Sequence, residues 1–363
     1  MKVCVWTNFP NHYQDSFYAA LRTAGVDVRV RYYSSVPAQR KSLGWSDSTP
    51  RPADEDFLPD ESGLRQAIVD ADDRIHVVPG YGESILWKLS DELVRRRARW
   101  VHWSEPSRGG LRSWITWPIK RRYARRVNRN ALGAFANGDA AIDYFRKWGI
   151  AANKIALLPY SAPLPPKDVS PDPDCAAFAA GRKAFVFLGS LIHRKGVDVL
   201  LKAFAAAQHD VRDWVLLLIG TGDSMGDYQQ LAARLGVLDR VLFRGAVKPL
   251  HLWSTIAAAD VAVLPSRFDG WGVALSEAAS MGRALIASDR VGAARHLIRP
   301  GENGFRVRAG SVESLESALA AYGRDPNLAR QHAAHSLTIA EDFTPGRNAE
   351  RFQTAIQNWQ ALA

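Results

Sequence analysis

The chain reads as an α/β protein built from two doubly wound parallel-sheet domains facing a central cleft. Three observations lead there. At 363 residues it exceeds what one hydrophobic core usually organises. Short apolar runs alternate with amphipathic stretches in two separate blocks, the order that parallel strands with crossover helices require. Between the blocks, Pro159 to Arg182 (PYSAPLPPKDVSPDPDCAAFAAGR) is rich in Pro and Asp and has no clear period, as a linker would. The expected organisation is a first domain over 1–160, a linker over 161–183 and a second domain over 184–344.

Each block can be justified element by element. In the first, Lys2 to Trp6 is an apolar strand, and a helix is expected from about Gln14 to Ala24. Gly25 makes a turn into a second strand, Val26 to Tyr33, and a polar, Pro-containing stretch runs from Ser34 to Pro59. Further strands are expected at Arg74 to Val78, Trp100 to Trp103 and Ala131 to Ala136, with helices between them. In the second block, strands at Ala184 to Leu188, Trp214 to Ile219, Val241 to Phe243, Val261 to Leu264 and Ala284 to Ala287 alternate with helical patterns. These include Val197 to Ala207, Tyr228 to Leu235 and a stretch through Glu277 and Met281. Ser311 to Ala363 reads as mostly helical.

Composition narrows the class. The chain is 47% hydrophobic and 23% charged, as expected of a soluble globular protein. Two cysteines, Cys4 and Cys175, are too few for a disulfide framework and fit a reducing, cytoplasmic compartment. The start, MKVCVWTNF, has too short an apolar run for a signal peptide, and no stretch approaches the ~20 apolar residues of a membrane span. The net charge of +10 is uneven: residues 1–163 hold 25 Lys and Arg against 17 Asp and Glu, the rest 22 against 20. Arg95 to Arg129 alone has 12 basic residues and a single acid, Glu105. Such a patch suits phosphorylated, anionic-lipid or nucleic-acid partners, but no nucleic-acid recognition motif accompanies it.

In parallel sheets, ligands meet the carboxyl ends of strands and the amino ends of the helices that follow. FLGSLIHRKGVDVLLKAF, Phe187 to Phe204, delivers Gly189 from a strand, then Lys195 and Gly196 before a helix. Backbone N–H groups there favour phosphate, and Lys195 adds charge. Gly220 and Gly222 in IGTGD permit close backbone approach to a ligand. VAVLPSRFDGWGVALSEAASMGRALIAS, Val261 to Ser288, sets Gly270 and Gly272 around Trp271. It also places two carboxylates, Asp269 and Glu277, eight residues apart across a loop–helix junction. In the first block, Asn8 and His12 follow the first strand, and Asn137 with Gly138 follows another, all at ligand-facing strand ends.

This second block resembles the retaining GT-B glycosyltransferases of family 4, roughly from Ala184 to Phe343, which implies that a helix from about residue 345 packs back on the first domain. The carboxylate pair is similar to that family's acidic motif of Glu, seven residues and Glu, with Asp269 one methylene shorter than the usual first acid. The resemblance implies that Asp269 lies by the donor sugar, that Glu277 binds the nucleotide ribose, and that Lys195 holds the donor diphosphate. It places Val247, in RVLFRGAVKP, near the nucleobase. Two departures stand out: Ser190 occupies the position of a usual arginine, which Arg194 is expected to offset, and His296 occupies that of a further acid. Relatives place a histidine near the strand end in VHWSEPSRGG. Both His102 and Glu105 fit as catalytic groups, and the register is left open.

The activity implied is transfer of a sugar from a nucleotide diphosphate sugar, UDP-linked by preference and GDP-linked as the alternative, with retained configuration. The acceptor would be a hydroxyl of a glycan or lipid-linked glycan, as in bacterial surface polysaccharide assembly. No metal and no other cofactor is expected: Asp70/Asp72 and Asp172/Asp174 read as solvated turns. The opposing reading is a GT-B protein that binds nucleotide or glycan without catalysis. In SWITWPIKRRYARRVNR, Ser113 to Arg129, Ile119, Tyr123 and Val127 recur every four residues. Lys120 and the arginines from Arg121 to Arg129 fill the other faces, after Trp114 and Trp117. Tryptophan beside a basic amphipathic helix suits the inner face of an anionic membrane. The plainer reading is a surface helix packing its stripe on the sheet.

Overall fold

A computed structural model of the chain describes residues 1–37, 52–58, 63–106, 115–325 and 327–362. They form two compact units, Met1–Ser161 with Pro345–Ala363, and Ala162–Thr344.

In the first unit the described residues give seven strands: β1 (Lys2–Thr7), β2 (Asp27–Tyr32), β3 (Glu55–Phe57), β4 (Ile75–Val78), β5 (Trp100–Ser104), β6 (Gly133–Ala136) and β7 (Ile155–Leu157). They pair in the order β3-β2-β1-β4-β5-β6-β7, and every pairing is parallel. The two faces separate by strand alternation. Cys4, Trp6, Trp100, Ala134 and Ala136 enter one buried cluster, whereas Val3, Val5, Val101, Trp103 and Phe135 enter the other. A sheet covered on both faces needs near-continuous apolar strands, which is why β1, β4 and β5 stand out in the sequence. β3 and β7 do not stand out; each is three residues long at an edge, without a fully buried residue.

The last helix, Pro345–Ala361, belongs to this first sheet. Phe352 stacks on Phe135 with ring centroids 5.0 Å apart, and Asn348 Nδ2 donates to the Pro159 carbonyl at 2.7 Å. Trp359 lies so close to the start of β6 that a Cβ on Gly133 would fall 2.2 Å from its ring. Glycine is the residue that permits this approach.

The second unit contains β8 (Lys183–Leu188), β9 (Trp214–Ile219), β10 (Val241–Gly245), β11 (Val261–Leu264), β12 (Ala284–Ser288) and β13 (Gly304–Val307). Their order among the described residues is β10-β9-β8-β11-β12-β13, again parallel throughout. Phe185, Phe187, Leu216, Leu218, Val263 and Ile286 share one buried cluster with the helices Val197–Ala206 and Val312–Arg324. β13 was not expected from the sequence, because its Gly-Phe-Arg-Val carries only two fully buried residues.

The linker expectation needs correction as well. Pro173–Ala179 is a helix, with Asp172 as its N-cap accepting from the Cys175 N–H at 3.0 Å. Asp at the cap with Pro at the first turn is a helix-start signal that the Pro-rich surroundings obscured. Asp172 is buried and ion-paired to Arg244 at 3.2 Å, so it is not a solvated turn residue. The exposed Asp174 joins the same arginine at 2.9 Å.

The basic helix is Trp117–Asn130. Its inward face is Lys120, Tyr123, Ala124 and Val127, so the expected stripe loses Ile119, 48% exposed, and gains Lys120, 3% exposed. The Lys120 ammonium lies 5.7 Å from the centre of the Trp148 ring. Arg126 is held by Ser90 and Asp91 and lies over Trp87.

Candidate functional site

Each sheet has a switch point, where strand order reverses and neighbouring connections leave in opposite directions. In the second unit it lies between β8 and β11. The segments leaving these two strands are Gly189 to Gly196 and Pro265 to Gly272, the two that carry the candidate donor-binding groups.

Their geometry is specific. After β8, a 3-10 turn at His193–Lys195 leads into Gly196, the N-cap of the helix Val197–Ala206. Lys195 Nζ donates to Asp269 Oδ2 at 2.5 Å, with both side chains largely buried. Arg194 donates to the Phe268 carbonyl at 2.8 Å and stands 3.8 Å from Asp269 Oδ1. Two cations thus converge on one carboxylate beside a helix amino terminus, leaving net positive charge for an anion. The sequence did not reveal which way Arg194 turns; the structure directs it to the same carboxylate as Lys195. Ser190 is half-buried in the β8 exit loop.

Asp269 is fixed by its own backbone. Its N–H donates to the Arg290 carbonyl at 3.0 Å, and its carbonyl accepts from Gly292 at 3.1 Å. Beyond it, Gly270 is buried, and Gly272 caps the helix Val273–Ser280 with φ of +90°. Glu277 lies in that helix and is 4% exposed. Trp271 is 1% exposed; its indole N–H donates to Ser276 Oγ at 3.1 Å, and its ring packs on His296. The side chain of Trp271 therefore belongs to the packing of the loop, and its carbonyl accepts from the Ala293 N–H at 2.8 Å. His296, at the position of the family acid, sits between Trp271 and Phe343, with ring centroids 5.4 and 5.9 Å away.

Residues missed in the sequence hold this arrangement together. Arg267 forms a two-pronged pair with Asp198, both contacts 2.7 Å, and donates to the His193 carbonyl at 2.8 Å. Its backbone N–H donates to the Arg194 carbonyl at 2.8 Å. Burial pushes the Asp198 carboxyl up, but the hydrogen-bonded Arg267 guanidinium outweighs it, and the pKa lies below the usual value. The sequence signal was a basic residue just past a strand opposite an acid in the first turn of a helix. Neither position is distinctive alone.

The β9 exit is locked to the β8 exit. Leu191 N–H donates to the Thr221 carbonyl at 2.8 Å, and Ser224 N–H to the Leu191 carbonyl at 3.1 Å. A Cβ on Gly220, whose φ is +135°, would sit 2.0 Å from the Gly189 carbonyl oxygen, and one on Gly222 would sit 2.5 Å from that of Leu191. Both glycines thus serve loop-to-loop approach. Val247 is half-buried in the segment following β10.

In the first unit the switch point lies between β1 and β4. Asn8 follows β1, half-buried, and its Oδ1 accepts from the Phe9 N–H at 2.8 Å. His12 opens the helix His12–Thr23, which is capped by Asn11. Asn137 is fully buried; its Oδ1 accepts from the Tyr160 N–H at 2.9 Å, while its Nδ2 has no hydrogen-bond partner among the described residues. His102 is also fully buried. Its ring nitrogens bond Tyr123 Oη at 3.2 Å and Ser104 Oγ at 2.8 Å, and burial drives its pKa down to about 3. Of the two groups expected near the reacting centre, His102 is thus an interior side chain, and Glu105, three residues on, is exposed. Trp114 lies outside the described residues.

Comparison with known proteins agrees with this geometry. Residues 173–335 match the family model described as Glycosyl transferases group 1. Over 190 residues the chain is 32% identical to the lipopolysaccharide core biosynthesis mannosyltransferase LpcC of Rhizobium leguminosarum bv. viciae, covering 51% of this chain and 53% of that protein. It is 28% identical over 253 residues to a GDP-mannose-dependent phosphatidylinositol monomannoside mannosyltransferase of Mycolicibacterium smegmatis, covering 64% and 62%. The chain thus spans between half and two thirds of the length of these curated relatives. Among solved structures, Anabaena HepE in complex with UDP superposes with a TM-score of 0.78 at 17% identity, covering 98% of this chain and all of that one. Sucrose-phosphate synthase from Thermosynechococcus elongatus gives 0.75 at 18% identity, covering 100% of both chains. Residues 173–335 thus match the Glycosyl transferases group 1 model, in a chain whose two parallel-sheet, Rossmann-like units have the GT-B fold.

Proposed function

We propose that the protein is a retaining glycosyltransferase that moves a sugar from a nucleotide diphosphate sugar to a hydroxyl of a glycan or lipid-linked glycan. One observation carries the reading: Lys195 and Arg194 meet Asp269 at the switch point of the second sheet, beside the helix amino terminus after Gly196. Phosphate bound there is neutralised by two side chains and by oriented N–H groups, which lowers the cost of a departing diphosphate. Asp269 holds the donor sugar, and Glu277 receives the ribose. The bond from the anomeric carbon to the phosphate oxygen breaks, and the acceptor oxygen attaches on the same face. The acceptor proton passes to the departing phosphate oxygen. The protein groups named suffice for these roles, so turnover is expected without added metal.

The activities for which the relatives are named, mannosyl transfer in lipopolysaccharide core and phosphatidylinositol mannoside synthesis, support a role in surface glycan or glycolipid assembly. For the donor, one relative is named for GDP-mannose and one structural neighbour contains UDP. A thermal-shift panel with UDP, GDP, ADP and dTDP, each with and without magnesium, separates these. Selective stabilisation by one nucleotide, equal in both conditions, fixes the donor class. No shift from any of them at millimolar concentration would overturn the reading in favour of a GT-B protein without transferase activity.

The same enzyme is proposed to work at an anionic membrane surface. Ile115, Trp117 and Ile119 are 75%, 38% and 48% exposed, and Arg121, Arg122, Arg125 and Arg129 are exposed on the adjoining helix. This combination favours an interface that takes apolar side chains and neutralises charge. No described helix is long and apolar enough to cross a membrane. Flotation with phosphatidylglycerol vesicles at low salt is expected to carry the protein upward. Trp117→Ala with Arg121→Glu and Arg125→Glu is expected to remain below, and a wild-type chain that does not float sinks the idea.

A further inference from the structure

The buried His102 is the centre of a chain of hydrogen bonds that ends at the carboxyl edge of the first sheet. Tyr123 Oη donates to the Gly80 carbonyl at 3.2 Å. A phenol has one proton, so with that proton committed the Tyr123 oxygen can only accept from the other side. His102 Nδ1, 3.2 Å away, is then the protonated nitrogen, and Nε2 carries the lone pair. Ser104 Oγ, 2.8 Å from Nε2, must donate to it. The opposite proton arrangement would leave the Gly80 carbonyl without this donor, whereas this one satisfies all four groups. Burial keeps the imidazole neutral, with its pKa down to about 3, so the direction does not reverse near neutral pH.

The consequence falls on Ser104. It is the last residue of β5, half-buried, next to the β4 exit at Gly80, where a Cβ would lie 3.9 Å from Ser104 Cβ. An ordinary serine hydroxyl both donates and accepts; here its proton is taken, and only lone pairs face outward. The exposed Glu105 follows directly and adds a second group that only accepts. We infer that Ser104 is a specificity residue of the first unit, held by Tyr123 and His102 as an acceptor-only group that takes a hydroxyl of a neutral sugar and rejects a carboxylate or phosphate. This rests on the proposed function in treating the first unit as the acceptor-binding half.

The test uses the full chain with 15N-labelled histidine. Long-range 1H–15N spectra at pH 7 should show His102, assigned by the signals lost in His102→Gln, as the Nδ1–H tautomer. Tyr123→Phe is expected to release it to Nε2–H. Methyl α-D-glucopyranoside should shift the His102 signals, glucuronate should not, and Ser104→Ala should weaken the glucoside about fivefold. An Nε2–H tautomer in the wild-type chain, no response to the glucoside, or an equal response to glucuronate would overturn the inference. Thermal shifts with UDP and GDP on the same samples separate the two failures: nucleotide binding without the glucoside response defeats only this inference.

Discussion

Two edges of this molecule share one geometry and differ in chemistry. Both are carboxyl ends of all-parallel sheets at a reversal of strand order. In the second unit that edge gathers Arg194, Lys195, Asp269 and the Asp198–Arg267 pair, with loops locked by close glycine contacts. In the first, among the described residues, Ser104, His102 and Tyr123 form a hydrogen-bonded neutral group, with Asn8 and Asn137 at neighbouring strand ends and the acidic Glu83, Glu105 and Asp139 in the segments that follow the strands. The sheet therefore decides where a ligand sits, and the strand-exit residues decide which ligand. Charged convergence suits a diphosphate, and neutral hydrogen-bonding suits a hydroxylated partner.

The sharpest way to break this contrast is to discharge the second edge. Lys195→Ala is expected to lower kcat for the nucleotide-sugar reaction by about 10²–10³-fold, the range for loss of one group stabilising a developing charge. An effect under threefold in steady-state kinetics would show that the diphosphate lies elsewhere. Next comes the rigidity of the loops. Gly220→Ala puts a methyl group against the Gly189 carbonyl oxygen and should destabilise the unit by about 2–3 kcal/mol. Chemical denaturation reads this as a lowered midpoint; a midpoint equal to wild type would mean that the loop relaxes freely.

A smaller change tests the ribose contact. Glu277→Ala should weaken UDP or GDP binding by about 10-fold or more in calorimetry, as expected for one charge-assisted hydrogen bond, while the glucoside response at Ser104 stays intact. Smallest is the pH effect of Asp198. Its folded pKa lies below the unfolded value, so its contribution is present above the unfolded pKa and fades as pH falls through the folded one. Asp198→Asn should therefore lose about 1–2 kcal/mol at pH 7 and a smaller amount at pH 3. A difference independent of pH would place the effect in packing instead.

What the sequence disclosed follows the same division. Central strands were legible because burial on two faces demands unbroken apolar runs, as in Trp214–Ile219. Edge strands Glu55–Phe57 and Ile155–Leu157 were not, since nothing requires them to be apolar. Lys195, Asp269 and Glu277 were singled out because their spacing around glycines is a local signal. Arg267 was missed because its partners, Asp198 and the His193 carbonyl, lie about seventy residues away in sequence. His102 was read as ligand-facing because a strand-end histidine looks alike whether it points to solvent or to Tyr123; in β5 the residue's parity, not its nearness to the end, sends it inward. Lys120 misled in the same way, since a lysine on a basic helix gives no hint that it lies over Trp148.

The return of Pro345–Ala361 to the first sheet also sets an order in time. A chain emerging from the ribosome presents β1 to β7 long before Phe352 and Trp359 exist to cover Phe135 and the start of β6. The second unit is contiguous in sequence, from Ala162 to Thr344, and can close as soon as it has left the tunnel. The second unit is thus able to mature first, while the first waits for the seventeen-residue helix Pro345–Ala361. Until that helix has emerged, the part of one apolar face around Phe135 and the start of β6 remains uncovered, beside the helix His12–Thr23 that already packs there, and it is there that a nascent-chain chaperone would find its binding site.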